Sequence, residues 1–332
     1  MKKTVAFSKD ATNVFFHILT QCNLKCKHCY INTKQHGKQV LPLETIEAWL
    51  NVFARKGRAA NVIFIGGEPT MHPDLPAAVK KAKTIGYSSI TVDTNGYLFH
   101  DILSKVAPDE VDYFSFSLDG ATRKTNDMIR GNGSYDNCIA GIRKTIRKGF
   151  AASLIYTVSR MNVHELDKMP PLLADLKIER FFIQVIGIRG KAAKIDREKL
   201  QVSRTEWLSI IPDLAEKIAG AGITVTYPKV FLSLDELFEC AGIVAENYFI
   251  FPNGRVYRCP LCEDYPLHSM VLKNHKLLAT GRINEADLFA LNTPEGCVMN
   301  KLIQPDNLSY SSNGVPEYKI ACCMLKEEIR KI

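Results

Sequence analysis

Cys22, Cys26 and Cys29 fall within the stretch TQCNLKCKHCY, residues 20–30, and no fourth cysteine follows nearby. Soft thiolates at such spacing select zinc, copper(I) or an iron–sulfur cluster. Sites that only hold a fold are normally closed by four protein ligands, whereas a three-ligand site keeps a position open for substrate or cofactor. Three cysteines on one loop can hold three irons of a cubane cluster and leave the fourth iron open. A zinc site completed by His28 or His72 is the competing reading.

Other chemistry-bearing residues recur at intervals. Gly66-Gly67 allows a ligand to approach the backbone closely, and Glu68 places a carboxylate beside it, a combination that can hold an ammonium group. Asn95-Gly96 reads by itself as a turn. Ser117 and Asp119 alternate with Leu118 at a strand end, so both can point into one site and serve a ribose or an amino acid. Arg130 can pair with a carboxylate in bidentate fashion. No catalytic acid or base is identified; Tyr97, Tyr156 and Gln184 are candidates at the barrel mouth, with nothing to separate them from lining residues.

These motifs share a position. Short β-rich runs occur at residues 13–20, 61–66, 88–94, 111–118, 152–158 and 180–187, with segments of helical spacing between them. Such alternation predicts βα units around a parallel sheet. Six units suit a partial barrel, with an open doubly wound sheet as the rival. Each motif follows one of the six runs, and the C-terminal edge of a parallel sheet is where ligands bind. A helix is expected over residues 204–219 and a strand over 222–227. Residues 247–259 read as a β-hairpin in which Asn253-Gly254 supplies the φ > 0 residues of a tight turn. Six of the ten cysteines lie beyond residue 239: Cys240, Cys259, Cys262, Cys297, Cys322 and Cys323. They suggest a separate C-terminal module. Cys138 sits in a helical segment and reads as a buried apolar residue.

The chain has 332 residues, 46% of them hydrophobic, and a net charge of +8. The basic residues are spread along the chain, which disfavours nucleic-acid binding. No apolar run reaches the length of a membrane span or a signal peptide. A cytoplasmic location is therefore expected, and ten cysteines in a reducing compartment point to metal or redox chemistry over a disulfide framework.

The motif CNLKCKHCY resembles the CxxxCxxC loop of the radical S-adenosylmethionine (radical SAM) superfamily. GGEP at 66–69, TNG at 94–96 and SLDG…RGNGSYD from 117 resemble its accompanying motifs, in the family's order, and the resemblance covers roughly residues 12–190. It implies a partial (β/α)6 barrel over residues 1–200. It also implies a [4Fe–4S] cluster held by Cys22, Cys26 and Cys29, whose fourth iron chelates S-adenosylmethionine. Reductive cleavage would then yield a 5′-deoxyadenosyl radical that abstracts hydrogen from a substrate. By the same resemblance His28 lies near the adenine, and Glu68 with Gly66-Gly67 binds the amino group. Asn95, Ser117, Asp119 and Arg130 serve the remaining cofactor contacts, and residues around Ile186 and Ile188 pack on adenine. A reducing partner such as a ferredoxin or flavodoxin is implied.

Cys240, Gly254 and Cys259 resemble the opening of the auxiliary-cluster modules called SPASM and twitch, placed here in a small α+β region over residues 201–332. A full SPASM module carries seven cysteines with a CxxCx5CxxxC run, which this chain lacks. One auxiliary [4Fe–4S] cluster fits, on Cys240 and Cys259 with two ligands from Cys262, Cys297, Cys322 and Cys323; structural zinc is the alternative. The implied activity is peptide or protein modification, or small-molecule oxidation. A tetrapyrrole- or RNA-modifying enzyme of the same superfamily stays open. So does a non-catalytic iron–sulfur or zinc scaffold, which would leave Glu68, Ser117 and Asp119 idle. No peptide-binding domain is read ahead of the first strand, which disfavours relatives with an N-terminal leader-peptide domain.

Overall fold

The computed structural model describes residues 2–6, 10–54, 59–195, 200–304 and 307–330. Its strands are β1 (Lys2–Ala6), β2 (Ala11–His17), β3 (Ala59–Ile65), β4 (Ser89–Thr94), β5 (Tyr113–Ser117), β6 (Ala152–Val158), β7 (Arg180–Val185) and β8 (Thr224–Pro228). The C-terminal strands are β9 (Phe231–Leu232), β10 (Glu246–Ile250), β11 (Arg255–Tyr257), β12 (Met270–Lys273), β13 (Lys276–Ala279), β14 (Lys319–Ile320) and β15 (Leu325–Ile329). All six runs expected from the sequence are strands, β2 to β7, paired in parallel in chain order. The strand expected at 222–227 becomes β8, a seventh parallel neighbour beside β7.

Side chains alternate across each strand. On β5, Phe114 and Phe116 enter the main core, while Tyr113 lies under the Arg180 guanidinium and Ser115 bonds to Asp93 on the inner face. β15 runs antiparallel to β8 and joins Glu328 to Arg180 at 3.0 Å, so the even-numbered residues of β15 share that inner face.

The C-terminal residues extend the same sheet at both ends. β15 and β1 add beyond β8, and β10 pairs in parallel with β2 on the other side, continuing into β11, β12 and β13. A row of asparagines stitches that junction: Asn61 donates to Asn13 at 3.0 Å and Asn13 to Asn247 at 3.1 Å. The hairpin of β10 and β11 forms as expected, but only Gly254 has positive φ (81°); Asn253 does not. Asn253 instead caps the loop, its Oδ1 accepting from Arg255 N at 3.2 Å. The loop spans four residues between the strands, so it needs one left-handed residue where a two-residue turn needs two. A second apolar cluster surrounds the C-terminal cysteines. Among the described residues no helix is long and apolar enough to cross a membrane.

Candidate functional site

The loop after β2 is held at several points by the ends of other strands. Gly67 N donates to Leu19 O at 3.1 Å and Glu68 N to Gln21 O at 2.9 Å. A Cβ on Gly67 would stand 1.8 Å from Gln21 O. The close approach expected of a ligand at this glycine pair is therefore made first by the chain's own cysteine loop. Asn95 Nδ2 donates to Asn23 Oδ1 at 2.8 Å and lies 3.9 Å from Cys22 Sγ. Lys27 N donates to Ile129 O at 2.9 Å, in the last turn of the helix Arg123–Arg130, and Cys26 Sγ lies 3.9 Å from Arg130 O. Lys191 N donates to Cys29 O at 2.9 Å from the loop after β7.

Glu68 is buried and saturates most of its carboxylate inside the protein. Oε1 accepts from Thr70 N, Thr70 Oγ1 and Thr94 Oγ1 at 3.1, 2.6 and 2.8 Å, and Oε2 from Asn95 N at 2.7 Å. Burial raises its pKa although these donors oppose the shift. Four donors leave one lone pair, on Oε2, for any further partner. Glu68 thus ties the GGEP loop to the TNG turn.

Asp119 is fully buried, and its Oδ2 meets Arg130 Nε at 2.6 Å and His28 Nε2 at 2.9 Å. Oδ1 accepts from Thr157 N at 2.8 Å, and Asn162 Nδ2 donates to the Asp119 carbonyl at 3.0 Å. Burial opposes ionisation, but Arg130 and His28 hold the carboxyl well below the usual carboxylate range. His28 Nδ1 is buried and has no hydrogen-bond partner among the described residues. Ser117 is half-buried at the end of β5.

Burial pushes the Cys22 thiol up to about 12 and raises Cys26, in each case with neighbouring thiols adding to the shift. A loop that gathers mutually repelling thiolates gains from a cation among them. Among the described residues, no three His, Cys, Asp or Glu side chains form the ligand set of a single ion. His72 is excluded as a fourth zinc ligand, since Nε2 bonds to Leu41 O at 2.8 Å and Nδ1 accepts from Asp74 N at 3.1 Å. The donor set fits a cluster with an open iron.

Two expectations are corrected. Ile186 and Ile188 are buried in the C-terminal apolar cluster, and the Ile186 carbonyl accepts from Gln304 Nε2 at 2.6 Å, so they are not free to cover an adenine. Tyr156 faces outward into the main core, its hydroxyl donating to Asn162 O at 2.8 Å, and does not line the mouth. Cys138 is buried as expected, against Gly96.

The inner wall holds a pair that the sequence did not single out. Asp93 of β4 and Lys326 of β15 influence each other's titration. Burial pushes the Asp93 carboxyl up to about 7, with a Ser115 hydrogen bond opposing and Glu68 adding to the rise. The charged residue in SSITVDT was a usable signal for Asp93; nothing near Lys326 was. A surface cleft between Tyr113, Arg180, Ile223 and Arg330 lies at the opposite end of the barrel from the cysteines.

The C-terminal cysteines converge. Cys240, Cys259, Cys297, Cys322 and Cys323 line one pocket, and Cys262 lies beside it against Cys259. Backbone N–H groups reach the sulfurs of Cys240 (from Gly242 and Ile243), Cys297 (from Asn300) and Cys322 (from Ala241, Met324 and Leu325). A hydrogen bond with Cys323 brings the Cys322 thiol down to about 7 against burial. Buried Glu285 fixes the turn at Cys259, accepting from Cys259 N at 3.0 Å and Arg258 N at 2.6 Å.

A parallel half-barrel with a three-thiol loop at its C-terminal edge is the architecture of an iron–sulfur enzyme that leaves one iron open. Residues 17–169 match the radical SAM superfamily. The family uses a [4Fe–4S] cluster and S-adenosylmethionine. The chain is 30% identical over 241 residues to the Fe-coproporphyrin III synthase of Methanosarcina barkeri, covering 71% of this chain and 58% of that protein. It is 29% identical over 195 residues to the pre-heme d1 synthase of Dinoroseobacter shibae, covering 58% of this chain and 48% of that one. Against a probable GTP 3',8-cyclase of Saccharolobus solfataricus it is 31% identical over 199 residues, covering 59% and 64%. The matches thus span about half to two-thirds of these relatives. In fold, Streptococcus suis SuiB bound to the precursor peptide SuiA superposes with a TM-score of 0.65 at 14% identity, covering 89% of this chain and 65% of SuiB. The enzyme anSMEcpe with bound AdoMet superposes at 0.59 and 13% identity, covering 91% and 85%.

Proposed function

We propose that this chain is a radical SAM enzyme with one auxiliary [4Fe–4S] cluster. The observation that carries the reading is the convergence on one loop of contacts from five later segments, which bring together the three thiols, His28, Asp119 and Arg130. Cys22, Cys26 and Cys29 would hold a cluster that, with S-adenosylmethionine and one electron from a reductant, would supply a 5′-deoxyadenosyl radical for hydrogen abstraction. His28, fixed through Nε2 by Asp119 with Nδ1 left unpartnered, would contact the adenine side of the cofactor. Gly66 and Gly67 with Glu68 Oε2 would receive its amino group. Asn95 steadies the loop, and Ser117 and Arg130 serve the ribose and carboxylate side.

The auxiliary cluster takes Cys240, Cys259, Cys297 and Cys322. N–H donors at three of these sulfurs are a means by which proteins stabilise and tune such clusters. In this reading residues 1–200 are the core and 201–332 the auxiliary region. A cytoplasmic setting with a ferredoxin- or flavodoxin-type reductant belongs to the same proposal.

For the substrate, peptide or protein modification and small-molecule oxidation remain the working class. A carboxylate-bearing tetrapyrrole is a second reading, favoured by the names of two relatives and by Lys326 on the inner wall. The test is release of 5′-deoxyadenosine and methionine by anaerobically reconstituted protein under strong reductant, compared with Cys26→Ala. Equal release by both proteins, or none by the wild type, rejects the activity. Faster release with an iron tetrapyrrole carboxylate than with peptides selects the second reading.

A further inference from the structure

Arg189, in the loop after β7, touches both cysteine centres. Its guanidinium lies over the Tyr30 ring, 4.6 Å from the centroid, and Tyr30 directly follows Cys29. Nη1 donates to the Pro260 carbonyl and to Glu263 Oε2, the residues directly after Cys259 and Cys262. The neighbours of Arg189 repeat the link: Lys191 N bonds to Cys29 O at 2.9 Å and Gly190 N to Asp264 Oδ2 at 3.0 Å. Asp264 Oδ1 also accepts from Asn32 Nδ2 at 2.9 Å. Gly190 is needed for this approach: its φ is +60°, and a Cβ there would meet the Tyr30 and Cys29 carbonyls at 2.5 and 2.6 Å. The Arg189 side chain is 16% exposed and that of Glu263 3%, so the bridge is shielded from solvent. The Arg189 charge also acts on Cys323. A guanidinium presents a flat stacking face and in-plane donors in one rigid group, a geometry an ammonium does not reproduce.

We propose that Arg189 is a positioning residue that fixes the auxiliary-cysteine turn, residues 259–264, against the loop of Cys22, Cys26 and Cys29, and that its charge sets the redox balance of the auxiliary centre. The second half rests on the auxiliary-cluster reading above; the first does not. A fixed positive charge favours the more negative, reduced state of a nearby cluster, and a fixed negative charge opposes it.

Amide hydrogen exchange on the reconstituted protein tests the clamp. Arg189→Met, Arg189→Lys and Glu263→Gln are each expected to speed exchange at 259–264 and 29–33 while β3 to β6 stay as protected as in the wild type. Unchanged protection in both segments overturns it. The charge is tested by EPR-monitored redox titration at mildly alkaline pH, in a Cys22→Ala, Cys26→Ala, Cys29→Ala background that leaves only the auxiliary signal. Arg189→Met is expected to move the midpoint to more negative values, Glu263→Gln to more positive values, and Arg189→Lys to leave it near the wild type. A purely structural role moves Arg189→Met and Glu263→Gln the same way, and that result, or no shift, overturns the charge claim. A background without iron rejects the auxiliary cluster and with it the charge claim, while exchange still decides the clamp.

Discussion

Arg130 meets the fully buried carboxylate of Asp119 through Nε at 2.6 Å. The pair joins the end of the helix Arg123–Arg130 to the loop after β5, and His28 completes it from the cysteine loop. Removing one partner of a buried ion pair costs about 3–5 kcal/mol, because the other charge stays buried. Arg130→Met is expected to lower unfolding stability by about that amount. Asp119→Asn with Arg130→Met should cost clearly less than the sum of the single changes. Urea unfolding of the four proteins checks this; additive losses would show that the pair is not coupled.

Iron content separates the two centres. Reconstituted wild type is expected to carry about eight irons per chain, and the Cys22→Ala, Cys26→Ala, Cys29→Ala protein about four. Acid-labile sulfide should fall in parallel. Four irons falling to none would mean that the C-terminal cysteines hold no iron.

Gly67→Ala is a sharper probe of the loop than any cysteine change, because it leaves every ligand in place. A methyl 1.8 Å from Gln21 O must push the loop off the GGEP segment. The expected result is loss of about half the iron and of 5′-deoxyadenosine release, with the auxiliary EPR signal retained. Full iron content in this variant would show that the loop binds its cluster without the backbone contact.

Asp93 gives a pH dependence with a defined sign. Its folded pKa, about 7, lies above the reference value of 3.8. Between those values the folded state holds a proton that the unfolded state has lost, so stability falls as pH rises through that window and levels off above it. Asp93→Asn removes the fall. The variant is expected to gain stability over the wild type from acid to neutral pH, by about 1–4 kcal/mol. Denaturant midpoints across the pH range check it; parallel curves for the two proteins would refute the assignment.

The six strand runs were legible because β-branched and aromatic residues cluster in them, and the site motifs were legible because each follows such a run. The face of each side chain was not. Tyr156 and Gln184 sit on neighbouring parallel strands in similar contexts, and which parity faces the core depends on packing that local sequence does not encode. Glu68 carried the right residue type but spends most of its carboxylate on Thr70, Thr94 and Asn95. Arg189 and Glu263 lie 74 residues apart, and Lys326 reaches the inner wall only because β15 docks on β8. Such long-range neighbours leave no periodic trace.

The strand that carries the cysteine loop, β2, has its outer edge covered by β10, and their asparagines meet across 234 residues of sequence. At ribosomal speeds that interval corresponds to roughly 10–50 s. Throughout it the nascent β2 presents an unpaired row of N–H and C=O groups, the template on which chains misassociate. Production of this protein is therefore expected to depend on translation rate and chaperone supply, and a fragment ending near residue 200 would carry that bare edge permanently. The covering strand lies between Cys240 and Cys259, so closing the sheet brings the first two auxiliary thiols together, while Cys297 and Cys322 follow later in the chain.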